Sequence, residues 1–295
     1  MGLFKKSKKK NNESVNTVAN VNEEKPSRQV ASDTVTEQDN PLLKAVANDG
    51  RRFTMLAEKV ILLEGGQGIQ VTGVIYGNLQ LDDLVYFILP NNMIMYSRVD
   101  GIEIGEGQSA GKAENQGVVL FFKDIKDVNC VPKYTVLTSI HPQDRTEEQA
   151  TVENPHLLGL SRDFHRLSGD SEYFNIFIYV LCHAYFLVPV KTPEGGGKEM
   201  EGQVQFPSLK DPKNPNKTLF PVFTDWLTLV GWQALFEEGK PPKAVVLRFP
   251  EAVNICKGSG MILNPFGPTA IMISDKLIEQ IVNVEGYKKE FCSGE

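Results

Sequence analysis

Between Phe53 and Ile140 the apolar residues fall in short runs: FTMLAEKVILL, IQVTGVIYG, NLQLDDLVYFIL, MIMYSRVDGIEI, GVVLFF and TVLTSI. Gly, Asn and Asp separate them, and no helical period develops. Many short strands with regular turn signals predict a small all-β barrel or sandwich over 51–140. Gly65, Gly66 and Gly68 suit a tight turn. Gly73, inside a strand run, predicts a bulge or a bend at a barrel corner.

The pattern changes after residue 140. Residues 141–152 (HPQDRTEEQATV) are polar and aperiodic and read as a linker. Asn154-Pro155 then supplies a helix start, followed by Leu157, Leu160, Phe164 and Leu167 on one helical face. A second helix starts at Ser171 and presents Phe174, Phe177, Ile178, Leu181 and Ala184. YFLVPV, LFPVFT, AVVLRF, MILN and AIMI read as strands. Thr224-Asp225 is read as capping a helix through Trp226, Leu227, Val230 and Ala234, and Ser274-Asp275 as capping a last one. Helices mixed with largely antiparallel strands predict an α+β domain over 153–295.

Residues 1–50 hold too few apolar groups to offset the entropy of ordering and read as a disordered tail. Lys5, Lys6, Lys8, Lys9 and Lys10 suit either an electrostatic tether to RNA or weak peripheral membrane contact, or a solubilising end. The chain of 295 residues has a formal net charge of −6, which gives no global attraction to nucleic acid or anionic lipid. Its four cysteines, Cys130, Cys182, Cys256 and Cys292, lack metal-ligand or redox spacing. With no secretory pattern and no apolar run of membrane length, the expectation is a cytoplasmic protein.

The run GGQGIQVTGVIYGNLQLDDLVYFI resembles the second, β-barrel domain of translation factors such as elongation factor Tu. Gly66, Gly68, Thr72, Gly73, Ile75, Gly77, Leu79, Asp83 and Val85 carry the likeness, and RVDGIEI, AENQGVVLFF and KDVNCVPKYTVLTS extend it over 53–140. That resemblance implies a barrel that in the relatives helps hold the aminoacyl end of a tRNA. Here Phe121 stands where the family has Arg, and Asp82 where it has Gly, so a charged contact is missing. No phosphate-binding G-x-x-x-x-G-K-[ST] loop exists, TPEGGGKE being the nearest imitation, so no GTP binding is expected. NPHL, AYFLVPV, LFPVFTDW and MILNPFGPTAIMIS, in that order over 153–282, resemble the N-terminal domain of the bacterial enhanced serine sensitivity protein B (SseB) family. That likeness implies an architecture more than an activity.

Candidate chemistry is sparse. In GMILNPFGP, Pro265 and Pro268 each fix a φ angle, and Asn264 suits a turn. One reading makes Phe266 an anchor for a partner, with Asn264 and Asp225 as polar companions; the other makes the corner a stiff turn. Trp226 is expected in the core, and Trp232 at the surface, available to a partner. His141, His156, His165 and His183 lack metal-ligand neighbours. No G-x-S-x-G elbow and no nominated acid/base pair is present. The expectation is therefore a non-enzymatic binding or scaffolding protein without a cofactor, recognising a protein partner. The alternative is an RNA- or ribosome-associated factor using the barrel and the lysine tail, with a small-molecule sensor or enzyme a third class.

Overall fold

A computed structural model describes residues 52–142, 152–191, 205–232 and 243–292, except 266 and 268. The tail with its five lysines, most of the linker, TPEGGGKE and Phe266 lie outside the described residues.

The barrel region forms ten strands: β1 (Phe53–Leu56), β2 (Lys59–Leu62), β3 (Ile69–Gln80), β4 (Leu84–Ile88), β5 (Ile94–Arg98), β6 (Gly101–Ile104), β7 (Gln108–Ser109), β8 (Lys112–Glu114), β9 (Gly117–Phe122) and β10 (Val136–Thr138). Every pairing is antiparallel, in the order β5-β4-β10-β1-β3-β9-β6-β7, with β2 and β8 also on β3. The ends of this ladder are nearly one strand, because only Val99 and Asp100 separate β5 from β6. Asp82 donates its N–H to the Val99 carbonyl, and Asp100 donates to that of Phe121, both at 2.9 Å. The run 94–104 therefore bonds to β4 with its first half and to β9 with its second, and the sheet curls on itself. Ile69, Val71, Ile75 and Leu79 of β3 face inward with Phe87, Leu120 and Phe122.

Gly73 sits where β3 exchanges β1 for β2 as its neighbour. A Cβ there would stand 2.5 Å from the Leu56 carbonyl oxygen, a close approach that only glycine permits. Asp82, at the family's glycine position, has φ +65°, a conformation that Asp tolerates better than most residues.

The second unit contains α1 (Pro155–Leu167), α2 (Ser171–Cys182), β11 (Tyr185–Pro189), β12 (Leu209–Lys210), β13 (Thr218–Val222), α3 (Trp226–Val230), β14 (Ala244–Arg248), α4 (Phe249–Ile255), β15 (Gly260–Leu263), β16 (Ile271–Ile273), α5 (Asp275–Asn283) and α6 (Glu285–Phe291). The sheet β12-β13-β15-β16 meets the β11-β14 pair through one bridge, Leu187 to Phe223. The β13–β15 pairing is parallel, a departure from the antiparallel expectation. The chain between them includes β14 and α4, enough for the crossover that parallel strands need. Helix α4 is absent from the pattern of apolar positions. Its signals are Pro250 in the first turn and Glu251, whose carboxylate accepts from the Arg248 N–H at 2.8 Å.

The two units share a core. On the outer face of the barrel, Leu56, Val136 and Ile88 form one cross-strand row over β1, β10 and β4. They are buried in the same cluster as Leu157, Leu160, Tyr173 and Phe177 of α1 and α2. The approach is close enough that a Cβ on Gly159 would fall 2.4 Å from Val136 Cγ1. Ion pairs edge the seam: Arg52 with Glu153 at 3.1 Å and Arg166 with Glu58 at 2.6 Å. Asp170 caps α2 through Oδ1 and accepts the Tyr134 hydroxyl at 2.6 Å through Oδ2. That hydroxyl first, then the Tyr173 N–H, holds the Asp170 carboxyl down at about 2.

His156, at the start of α1, is buried against the β4–β5 hairpin, its Nδ1 2.8 Å from Asn92 Oδ1. With Nδ1–H donating, Nε2 is left without a partner among the described residues. Burial pulls its pKa from 6.5 to about 3.

The seam can be tested by packing and by pH. Gly159→Val should lose roughly 1–3 kcal/mol in urea denaturation through overpacking, with Gly169→Ala, which meets open space, as the control. Between pH 6.5 and about 3 the unfolded chain protonates His156 and the folded chain does not. The stability this neutral histidine permits is therefore complete above pH 6.5 and lost as pH falls, approaching about 1.4 kcal/mol per pH unit. His156→Gln should flatten the pH dependence of unfolding over that window relative to the wild-type chain.

Candidate binding surface

The parallel register sets Val222 beside Leu263, so the ends of PVFTDW and LNPFGP meet. Asn264 turns there with φ +46° and is buried. Its Oδ1 accepts from the Thr224 N–H at 2.9 Å, and its Nδ2 donates to the hydroxyls of Thr224 at 2.9 Å and Thr269 at 3.2 Å. The Thr224 hydroxyl donates to Asp225 Oδ2 at 2.8 Å. Asp225 Oδ1 accepts from the Thr228 N–H at 2.9 Å, which makes Asp225 the N-cap of α3. The expected cap, Thr224, stands one residue earlier because Asn264 holds its backbone N–H. Asn154 completes the knot by donating Nδ2 to the carbonyls of Tyr185 and Thr224, both at 2.7 Å. It ties the start of α1 to β11 and to the Thr224 corner instead of capping α1 with its side chain.

Of the residues singled out from the sequence, Asn264 and Asp225 thus lie together, buried and hydrogen-bonded. Phe266 lies outside the described residues. Trp232, expected at the surface, is only 6% exposed, whereas Trp226 is half-buried. The expectation assumed a helix continuing through Ala234. Instead α3 ends at Val230, and a turn donating the Trp232 N–H to the Leu229 carbonyl lays Trp232 against Phe223, ring centres 5.4 Å apart.

Titratable groups elsewhere are dispersed. His183 Nε2 lies 2.8 Å from Glu290 Oε1, and His165 Nε2 lies 3.3 Å from the Ala270 carbonyl. Burial pushes the thiols of Cys182 and Cys256 up to about 12 and about 11, which makes them poor nucleophiles. The four cysteines are unbridged, and no group of three metal-ligand side chains converges among the described residues. Arg162 places its guanidinium 5.3 Å from the Tyr76 ring across the seam; burial lowers its pKa, opposed by Tyr76 and Asp225. No described helix is long and apolar enough to cross a membrane.

The open surface lies on the barrel. The row Leu56–Val136–Ile88 continues to Ile94 on β5, which is 48% exposed. The parallel row Thr54–Thr138–Tyr86 continues to Tyr96, which is 70% exposed. Helix α1 covers the first row as far as Ile88 on β4 and leaves Ile94 and Tyr96 on β5 exposed. Leu84, Tyr86, Ile94, Tyr96, His141 and Pro142 line a groove of about 370 Å³ there, and His141 packs edge-on against Tyr86 at 4.9 Å. Sequence reasoning did not single out this face. Its signal is the absence of alternation in LVYFI and IMY, apolar on both faces, which marks a strand covered on both sides or one with a surface to offer.

The SseB protein N-terminal domain family matches residues 162–280. That span includes PVFTDW and LNPFGP and starts after NPHL. Among solved structures, one titled as the crystal structure of a bacterial selenocysteine-specific elongation factor, EF-Sec, is similar over 31% of this chain, at 19% identity and a TM-score of 0.26. The match spans 15% of that factor's length. No curated protein matches.

Asn264→Ala should destabilise the protein by roughly 3 kcal/mol in chemical denaturation, because it orphans buried partners and strains a positive φ. Asn264→Gly, which relieves the strain, should cost less. Residues 162–280 are thus similar in sequence to the SseB protein N-terminal domain, following a curled β-barrel.

Proposed function

We propose that the protein is a non-enzymatic binding module that recognises a protein partner. One observation carries the reading: the apolar outer face of the barrel is covered by α1 as far as Ile88 and exposed at Ile94 and Tyr96, with half-buried Leu84 and Tyr86 beside them. A protein surface seldom leaves several large apolar and aromatic side chains contiguous without a partner to cover them.

A photo-reactive phenylalanine at position 96 tests this in cells. It should cross-link to protein, and Ile94→Asp should abolish the product, while the same probe at exposed Val284 should not give it. Cross-links to RNA instead, with steep salt dependence, would move the assignment to an RNA-associated factor. No adduct from position 96 would sink both.

A further inference from the structure

Resting on that reading, we propose that the partner is a second copy of the chain, joined edge to edge through β5, at the margin of this face, by a two-fold antiparallel pairing centred on Tyr96. The hydrogen-bond alternation supplies the argument. The Leu89 N–H donates to the Met93 carbonyl, and the Val99 N–H donates to that of Asp83. With the register between, Phe87–Met95 and Val85–Ser97 are the bonded pairs of the β4–β5 ladder. The backbone groups of Ile94, Tyr96 and Arg98 therefore point away from β4, to the open edge. None of their N–H groups has a backbone partner on that side among the described residues. The Arg98 carbonyl takes only its neighbour's Ser97 hydroxyl, at 3.3 Å.

These three edge residues are symmetric about Tyr96, the centre of β5. A two-fold axis at Tyr96 sets Tyr96 opposite Tyr96 of the second copy, with Ile94 opposite its Arg98 on each side. All three positions become bonded pairs, so the same register that satisfies one copy satisfies the other. The side chains agree with the backbone. The row Thr54–Thr138–Tyr86–Tyr96 would run on through the second copy's Tyr96 and Tyr86, continuing the face already built on by α1. The Arg98 stem, its head held at 2.6 Å on the Asp82 carbonyl, would lie over the second copy's Ile94. An exposed edge strand is a template for such pairing, and β5 has no proline, inward charge or bulge within its five residues; its one charge, Arg98, is held on the Asp82 carbonyl.

Sedimentation equilibrium of the full chain over a wide concentration series should show a monomer–dimer equilibrium. Tyr96→Pro, which removes the central N–H, should raise the dimer Kd at least about tenfold, with circular dichroism unchanged and with the melting temperature unchanged when measured well below the wild-type Kd. In a Cys130→Ser, Cys292→Ser background, Tyr96→Cys should be joined into a covalent dimer by a short bis-maleimide, since bonded antiparallel pairs sit about 5.5 Å apart between Cα atoms. Met95→Cys, facing the interior, should not. A chain that stays monomeric at all concentrations would overturn the inference. So would a dimer indifferent to Tyr96→Pro whose Tyr96→Cys variant is not joined by the bis-maleimide. A monomer that still cross-links to a different protein through position 96 would sink the second-copy assignment alone and leave the binding reading standing.

Discussion

Val136 and Gly159 meet at the point on which the two halves depend. The side chain of Val136 occupies the space that a Cβ at position 159 would need, so glycine there lets α1 lie this close to the barrel. That contact lets Leu157 and Leu160 reach the Leu56–Val136–Ile88 row, and the buried cluster continues through Tyr173 and Phe177 into the second unit. The burial of His156 and the alignment of Asp170 with Tyr134 follow from the same docking. Domains joined by a polar linker are free to move unless their interface is apolar and close-packed. Here the interface is core, and the seam binds the halves into one body.

The corner between β15 and β16 shows why polar residues in a motif are weak evidence of chemistry. Parallel pairing brings two chain reversals side by side, and each leaves backbone groups that the ladder cannot satisfy. Asn264, Thr224, Asp225 and Asn154 supply the missing partners from side chains. A buried network of this kind stabilises only when every member is satisfied. The same bonds account for these polar groups within the fold. Large apolar side chains are exposed instead on β5, at Ile94 and Tyr96.

Much of the architecture is legible along the chain. Short apolar runs punctuated by Gly, Asn and Asp mark out the barrel, and the spacing from Leu157 to Leu167 marks α1 to its boundaries. Ser274 caps α5 as its position implies, accepting from the Leu277 N–H at 3.2 Å. These features depend on residues near one another in sequence, so periodicity and caps are enough to find them. Helix α4 is hidden because an apolar strand runs straight into it, and the parallel β13–β15 pairing because local patterns carry no strand direction.

The sequence by itself determined where strands, helices and stiff corners fall, because these are set by propensity, alternation and capping over a few residues. Only the tertiary structure decided which surfaces are left over. Tyr96 is exposed and Trp232 buried because burial depends on what the rest of the chain lays over a residue: α1 stops short of β5, and the turn after α3 folds Trp232 onto Phe223. Exposure is a property of distant neighbours, and nothing within a helical turn or a strand repeat encodes it.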